Sequence, residues 1–141
     1  MKTNFDRRKC LEELEKDDWG NRDFDSYLMQ TCHRLRRVPL ADFTTEDLRI
    51  MIGQKIGLLF LVPLALEKLE QDPLAEGDYY PGDLLNVVLD VPATFWNVHV
   101  DMCEELCRVI AKTKELLVSV EEDDAQLVRE SLAKASAMLP E

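Results

Sequence analysis

Hydrophobic residues recur at intervals of three and four along nearly the whole chain, the spacing at which side chains share one face of an α-helix. The longest series predicts a helix from about Ala93 to Val120. We expect neighbouring helices to cover its apolar face along the whole length. The side chains predicted to be buried there are Trp96, Leu106, Ile110 and Leu117, with His99 and Cys103 in the same face.

Shorter series with the same spacing predict further helices on either side. A short first helix has Asp6 as its candidate N-cap, and a second helix ends before Pro39. Thr44 lies three residues before Asp47, a spacing typical of a capping box at a helix start. Several helices therefore precede the long one.

Breaks in the pattern indicate where helices bend or approach one another. Pro63 is expected to kink or restart the helix that contains it, because proline has no backbone N–H. Gly53 and Gly57 are small enough to let another helix approach closely. The four acids at 121–124 predict a hinge, and Asp123 or Asp124 is the expected cap of a final helix.

The predicted fold class follows from these series. No segment alternates apolar and polar residues as a half-buried strand would, and no repeat or long linker divides the chain. We expect an all-α fold in which residues 1–141 form a single compact helical domain of about six or seven helices with one long central helix.

Charge is distributed unevenly along this chain. The 141 residues carry 28 acids and 17 Lys plus Arg, a net charge of −11. Residues 1–55 hold 11 of each sign, so the whole net charge lies in residues 56–141. No Lys or Arg occurs between Lys68 and Arg108, where nine acids occur. This acidic surface either serves solubility or forms a docking face for a basic partner.

The same charge balance argues against several classes of partner. Nucleic acids and anionic membranes both repel an acidic protein, so we expect neither as a direct partner. The longest apolar run, 56–66, is too short to span a bilayer, and no secretory signal is evident at the start. The four cysteines form no CxxC pair. We therefore expect a reduced, cytoplasmic protein.

Candidate chemical sites are few, and each has a structural alternative. His99, Cys103 and Cys107 lie at i, i+4 and i+8, but zinc needs four converging ligands, and a catalytic cysteine needs an orienting group. Packing in the helix core explains them better. The basic run Arg34, Arg36 and Arg37 is interpreted as a helix C-terminal cluster matched to the dipole rather than a phosphate site. We expect no enzyme activity, no metal, no cofactor and no small-molecule substrate.

Three segments carry a resemblance to a known family. Residues 47–54 read Asp-Leu-Arg-Ile-Met-Ile-Gly-Gln, and residues 61–67 read Leu-Val-Pro-Leu-Ala-Leu-Glu. Residues 77–85 read Gly-Asp-Tyr-Tyr-Pro-Gly-Asp-Leu-Leu and are followed by Phe95-Trp96. In order and spacing, these segments resemble bacterial contact-dependent growth inhibition (CDI) immunity proteins over about residues 38–96.

The resemblance implies a cytoplasmic protein that binds and neutralises the cognate C-terminal toxin domain of a large surface protein, often by covering its active site. Many such toxins are nucleases, and a nuclease has a basic cleft for phosphates. The acidic stretch 69–107 agrees with a basic toxin as partner. The motif residues themselves have the composition of a core, so the contact surface need not coincide with them.

The acids around the turn-rich loop 76–83 are the first candidates for toxin contact, because they cluster without a neutralising base. Two tyrosines among them are candidate anchors, since aromatic residues ringed by charge often dominate binding. The alternative is that the loop fixes a helix approach, with both tyrosines turned inward. The predicted toxin-binding residues are Glu70, Asp72, Glu76, Asp78, Tyr79, Tyr80 and Asp83.

Two other functions stay open at the level of sequence. One is a small acidic helical adaptor or secretion-chaperone-like binding protein. The other is a small enzyme that uses His99 and Cys103. Co-purification with one toxin domain would separate an immunity protein from the adaptor, whereas bound zinc or sensitivity to alkylation of Cys103 would favour the enzyme.

Overall fold

The computed structural model describes residues 5–20, 26–119 and 122–136, and within them the chain forms α-helices and two short 3-10 turns without a β-strand. None of the described helices is long and apolar enough to cross a membrane. The all-α prediction is confirmed. The eight α-helices are α1 (Leu11–Glu15), α2 (Tyr27–Leu35), α3 (Thr45–Gly53), α4 (Leu58–Gln71), α5 (Asp83–Leu89), α6 (Ala93–Val98), α7 (Val100–Leu116) and α8 (Glu122–Ser136).

The start of α3 is fixed locally, as its sequence predicts. Thr44 Oγ1 accepts from the backbone N–H of Asp47 at 3.1 Å, and the Asp47 carboxylate accepts from the N–H of Thr44 at 3.0 Å. This reciprocal pair satisfies two donors that the first turn leaves free. The first helix differs from its prediction, because α1 begins after Cys10, and Asp6 bonds Arg8 instead.

The break between α3 and α4 lies earlier than the proline predicts. The backbone N–H of Ile56 bonds Met51 O, and that of Lys55 bonds Ile52 O, which together form a Schellman motif with Lys55 in the left-handed region (φ 60°). The α4 helix then runs through Pro63 without ending there. This early stop makes α3 and α4 separate helices.

Gly57 allows a close approach, as expected, but to the first helix. It lies in the left-handed region (φ +65°), and a Cβ there would meet Leu11 Cδ1 at 2.7 Å. At Gly53 an added Cβ would make only an ordinary contact with Val87 at 3.5 Å. A glycine is therefore required at position 57 and merely tolerated at 53.

The long helix predicted from Ala93 to Val120 is divided at His99. This residue has φ −110° and ψ 70°, so it ends α6 and begins α7. A 3-10 turn follows α7 at Leu117–Ser119, and Val120 lies outside the described residues. These divisions explain why the described residues form eight α-helices where six or seven helices were expected.

The buried face of α7 is turned slightly from the predicted one. Trp96, Leu106 and Leu117 are buried as predicted, and Cys103 is buried with them. Ile110 is only partly buried, because Val109 takes the core position. The prediction treats residues 96–120 as one helix with a single apolar face. Because the helix breaks at His99, the buried face of α7 is rotated about the helix axis relative to the predicted face.

The core joins the helices around α5 and α4. The α5 helix packs against α3, α4 and α8, while α4 also packs against α3 and α7. Buried residues 61–66 and Leu69 make α4 apolar nearly all round. The predicted hinge at 121–124 lies partly outside the described residues, and α8 already begins at Glu122, so Asp123 and Asp124 lie in its first turn instead of capping it.

Candidate functional site

The acidic loop between α4 and α5 is a closed, hydrogen-bonded turn; we refer to residues 76–82 as the acidic loop. Glu76 and Pro81 form an isolated antiparallel bridge. The N–H of Gly82 bonds Leu74 O at 3.1 Å, and that of Asp83 bonds Tyr80 O at 3.0 Å. These bonds hold both ends of the loop in place.

Asp83 organises the loop from below. Its side chain is buried, with only 2% of the residue exposed. One carboxylate oxygen accepts from Gly77 N at 2.6 Å, and the other accepts from Tyr79 N at 3.0 Å and Tyr80 N at 3.4 Å. Three otherwise unpaired loop donors are therefore satisfied by one buried anion. Asp83 positions the loop and offers no surface to a partner.

Two side chains from α3 complete the support of the loop. Arg49 donates to both oxygens of Glu46, at 2.5 and 2.6 Å, and its Nε lies 4.0 Å from Asp83. Glu46 also accepts from the backbone N–H of Asp78 at 3.0 Å. The bonds from Arg49 are the main reason that the pKa of Glu46 lies below its ordinary range. Glu46 is therefore a charged acceptor for the loop backbone.

The close approach of loop to helix requires a glycine. A Cβ on Gly77 would meet Glu46 Oε1 at 2.4 Å and Asp83 Oδ2 at 3.1 Å. Any side chain there would push the carboxylates away from the loop donors. The glycine of the Gly-Asp-Tyr-Tyr segment thus lets the loop backbone lie against the carboxylates of Glu46 and Asp83.

The two tyrosines of the loop have different environments. Tyr79 is 70% exposed, and its ring lies over the Arg49 guanidinium, 4.4 Å from ring centroid to Cζ. Tyr80 is half-buried, and this burial, with the nearby Asp83 charge, raises its pKa. One tyrosine is therefore presented outward on a cationic support, while the other is partly enclosed.

The prediction that the acid cluster has no neutralising base is wrong, because Arg49 of α3 lies beneath the loop with its Nε 4.0 Å from Asp83. Lys112 also reaches the end of α4, where its Nζ donates to the backbone carbonyl of Glu70 at 2.6 Å. Glu46 and Arg49 were missed as site residues. Their i, i+3 spacing indicates a helix ion pair, but only the packing of α3 against α5 places that pair under the loop.

Four of the predicted acids remain on the surface. Glu70, Asp72, Glu76 and Asp78 are exposed, and in the part of the chain that the structure describes no ion pair engages their carboxylates. Asp72 Oδ1 accepts from the N–H of Leu74 at 3.1 Å, which shapes the turn after α4. Glu76 and Asp78 belong to the acidic loop that exposes the Tyr79 ring, and Glu70 and Asp72 lie at the end of α4 that leads into this loop.

Of the His99, Cys103 and Cys107 group, His99 and Cys103 pack towards the core, whereas Cys107 is exposed. The His99 ring lies 4.4 Å from the Phe95 ring, with a tilt of 41°, and is half-buried. Burial raises the pKa of the Cys103 thiol, which disfavours a thiolate nucleophile. Among the described residues no group of three or more His, Cys, Asp or Glu could hold a metal ion.

The basic run at the end of α2 binds the N-terminal segment. Arg36 is buried, forms an ion pair with Glu15 and lies over the Trp19 ring, with Cζ 4.5 Å from the centroid. Arg37 pairs with Glu12 at 2.9 Å. These two guanidinium groups therefore hold α1 against α2, a role that goes beyond the predicted interaction with the helix dipole.

Comparison with known protein families supports the resemblance that the sequence carries. No curated protein and no solved structure matches the chain. The family model described as CDI immunity proteins matches residues 13–106, which are 94 of the 141 residues. The match includes α2 to α6, the acidic loop and the first half of α7, and so extends beyond the segment 38–96 that carries the resemblance. The chain belongs to the family of CDI immunity proteins.

Proposed function

We propose that this protein binds the cognate toxin domain of a contact-dependent growth inhibition system and neutralises it through the acidic loop. Membership of the immunity family supports a protein toxin as the partner. Immunity proteins are generally binding proteins and not enzymes. The role proposed here is accordingly stoichiometric inhibition in the cytoplasm, without a cofactor or a small-molecule substrate.

The observation that carries the proposal is the exposed Tyr79 ring, held on a rigid backbone among unpaired acids. A loop whose N–H groups are already bonded by Asp83 and Glu46 loses little conformational entropy on binding. A tyrosine in such a setting is a typical interface anchor. The contact set proposed from the surface is Glu70, Asp72, Glu76, Asp78 and Tyr79, with Tyr80 at its edge and Asp83 as the supporting residue.

The charge of this surface indicates the chemistry of the partner. Four exposed carboxylates attract a basic protein surface and increase the rate of encounter. A toxin that cleaves nucleic acid presents such a surface, because its cleft binds phosphates. We therefore propose a nuclease domain as the toxin, with the loop acids occupying the positions of phosphate groups.

Charge reversal tests the loop directly. The variant Asp72→Lys, Glu76→Lys, Asp78→Lys should bind the toxin domain encoded by the neighbouring gene at least about tenfold more weakly, because attraction becomes repulsion. Its melting temperature should fall only slightly, since all three side chains are exposed and the one bond lost is that from Leu74 N to Asp72. Calorimetric titration and a toxin-activity assay measure the two effects.

A matched control separates position from net charge. Asp17→Lys, Asp42→Lys, Glu115→Lys makes the same change in charge at exposed sites outside the loop, and it should retain most of the affinity. Unchanged affinity in the loop variant would exclude the acidic loop as the interface. Binding of the parent to several unrelated secreted proteins, and to no toxin, would favour the adaptor alternative.

A further inference from the structure

A second surface feature lies where α6 meets α7. The helix break at His99 opens a groove of about 610 Å³ between the two helices. The groove is open to solvent, a shape suited to a side chain of another protein. Its lining residues are Trp96, Asn97, Val100, Cys103, Glu104, Cys107 and Arg108.

The floor of the groove is apolar and uncharged. Trp96 and Cys103 form its buried base, and the raised pKa of Cys103 keeps this thiol neutral. Val100 is 57% exposed at the groove, and Val98, just across the helix break, is 75% exposed. Val100 therefore adds an exposed apolar side chain to the hollow that Trp96 and Cys103 form, and a contiguous apolar surface of this kind marks an interaction site.

The rim of the groove is acidic. Glu104 is exposed, and Asp101 lies three residues earlier, on the same side of α7. The one cationic side chain of the lining, Arg108, forms an ion pair with the buried Glu105. A basic partner is therefore attracted to this groove.

We propose that the α6–α7 groove receives an apolar side chain of the toxin domain, flanked by a Lys or Arg that meets Glu104 and Asp101. This inference rests on the proposed function and adds a second contact surface to the acidic loop. The apolar side chain would cover Trp96, Val100 and Cys103, and the flanking cation would pair with the rim. Interface anchors are commonly of this kind, an apolar group in a pocket with charge at its edge.

Thiol footprinting tests the groove without altering it. Cys107 lines the groove and is exposed, whereas the other three cysteines are buried. Saturation with the toxin domain encoded by the neighbouring gene should slow iodoacetamide alkylation of Cys107 by at least about tenfold, because the bound side chain shields the sulfur. In a Val118→Cys variant, the introduced thiol lies on the 3-10 turn after α7 and should react at its free rate, since position 118 is 86% exposed and lies outside the groove lining.

A pair of matched substitutions tests the apolar contact. Val100→Asn and Leu59→Asn each place a neutral polar group in the first turn of a helix, at positions 57% and 51% exposed. Val100→Asn should weaken toxin binding about tenfold or more, and Leu59→Asn should leave it unchanged. Both variants should keep the circular dichroism spectrum of the parent.

The outcomes separate this inference from the proposed function. If the parent binds the toxin domain while Cys107 reacts at its free rate and Val100→Asn binds normally, the groove proposal is wrong and the immunity role stands. If the parent binds no toxin domain, both are overturned. Protection of Cys107, together with weaker toxin binding by Val100→Asn but not by Leu59→Asn, supports the groove as a contact.

Discussion

At the scale of single residues, the conformation of the acidic loop depends most on the carboxylate of Asp83. Asp83→Asn keeps the size of the side chain but replaces one accepting oxygen by an NH₂ group that faces backbone donors. We expect a loss of about 2 kcal/mol in the free energy of unfolding, the cost of leaving buried donors unpaired. Urea denaturation measures this loss. Asp78→Asn, an exposed change in the same loop, should stay within about 0.5 kcal/mol of the parent.

The sequence could indicate which acids cluster but not which of them face solvent. Positions 76, 78 and 83 look alike as carboxylates in a turn-rich segment, yet only Asp83 is buried. The difference arises from α5, whose first residue is Asp83 and which packs on α3. Arg49 could not be placed beneath the loop from the sequence either. It lies 28 positions before Gly77, and only the packing of α3 against α5 brings the two together.

The core of α7 gives a residue-scale prediction in which two neighbours differ. Leu106 is fully buried, whereas Ile110 is partly exposed. Leu106→Ala should cost about 2–5 kcal/mol, from lost apolar burial and the cavity left behind. Ile110→Ala should cost about 1–2 kcal/mol, since less apolar area leaves water at this site. Equal losses in thermal unfolding would contradict the observed rotation of α7.

At the scale of helices, the start of α3 was predictable because it depends on local chemistry. The capping box at Thr44 needs only a threonine and an aspartate three residues apart. The stop of α3 at Lys55 and the break at His99 have no comparable signal, because neither residue is a glycine or a proline. In both cases the apolar periodicity continues across the break, so the pattern alone predicts a longer helix.

Gly82 connects the acidic loop, α5 and α8, and its substitution should disturb all three. It has φ +93°, and an added Cβ would meet Val128 Cγ2 at 2.7 Å. Gly82→Ala should therefore combine left-handed strain with a steric clash and cost about 3 kcal/mol. Gly20→Ala carries the strain alone and should cost about 1 kcal/mol, since Gly20 has φ +74° and an added Cβ would meet no atom of the described residues within 4 Å apart from its chain neighbours. Similar melting temperatures for the two variants would contradict the predicted clash, because they would mean that α8 shifts at little cost in stability to make room for the added methyl group.

At the scale of the whole molecule, folding redistributes the charge asymmetry of the sequence. Cations from the balanced first half neutralise acids of the second half, as Lys55 does with Asp90 at 3.4 Å and Arg49 does near Asp83. At the end of α4 and in the acidic loop, four acids remain exposed and without an ion pair among the described residues, which makes a local concentration of negative charge. That residues 1–141 form a single domain stays a prediction.

This concentration of charge predicts how binding responds to salt. Raising the ionic strength from about 0.1 M to 1 M shortens the Debye length from about 10 Å to about 3 Å, so the acidic loop would no longer attract a basic toxin from a distance. The association rate should fall about tenfold or more, while the dissociation rate changes little, because short-range contacts hold the complex once it is formed. Stopped-flow fluorescence measures both rates. The charge-reversed triple variant should show no such fall, because salt screens its repulsion from the toxin. A parent association rate that stays flat across the range would show that electrostatic steering by the loop plays no part in recognition.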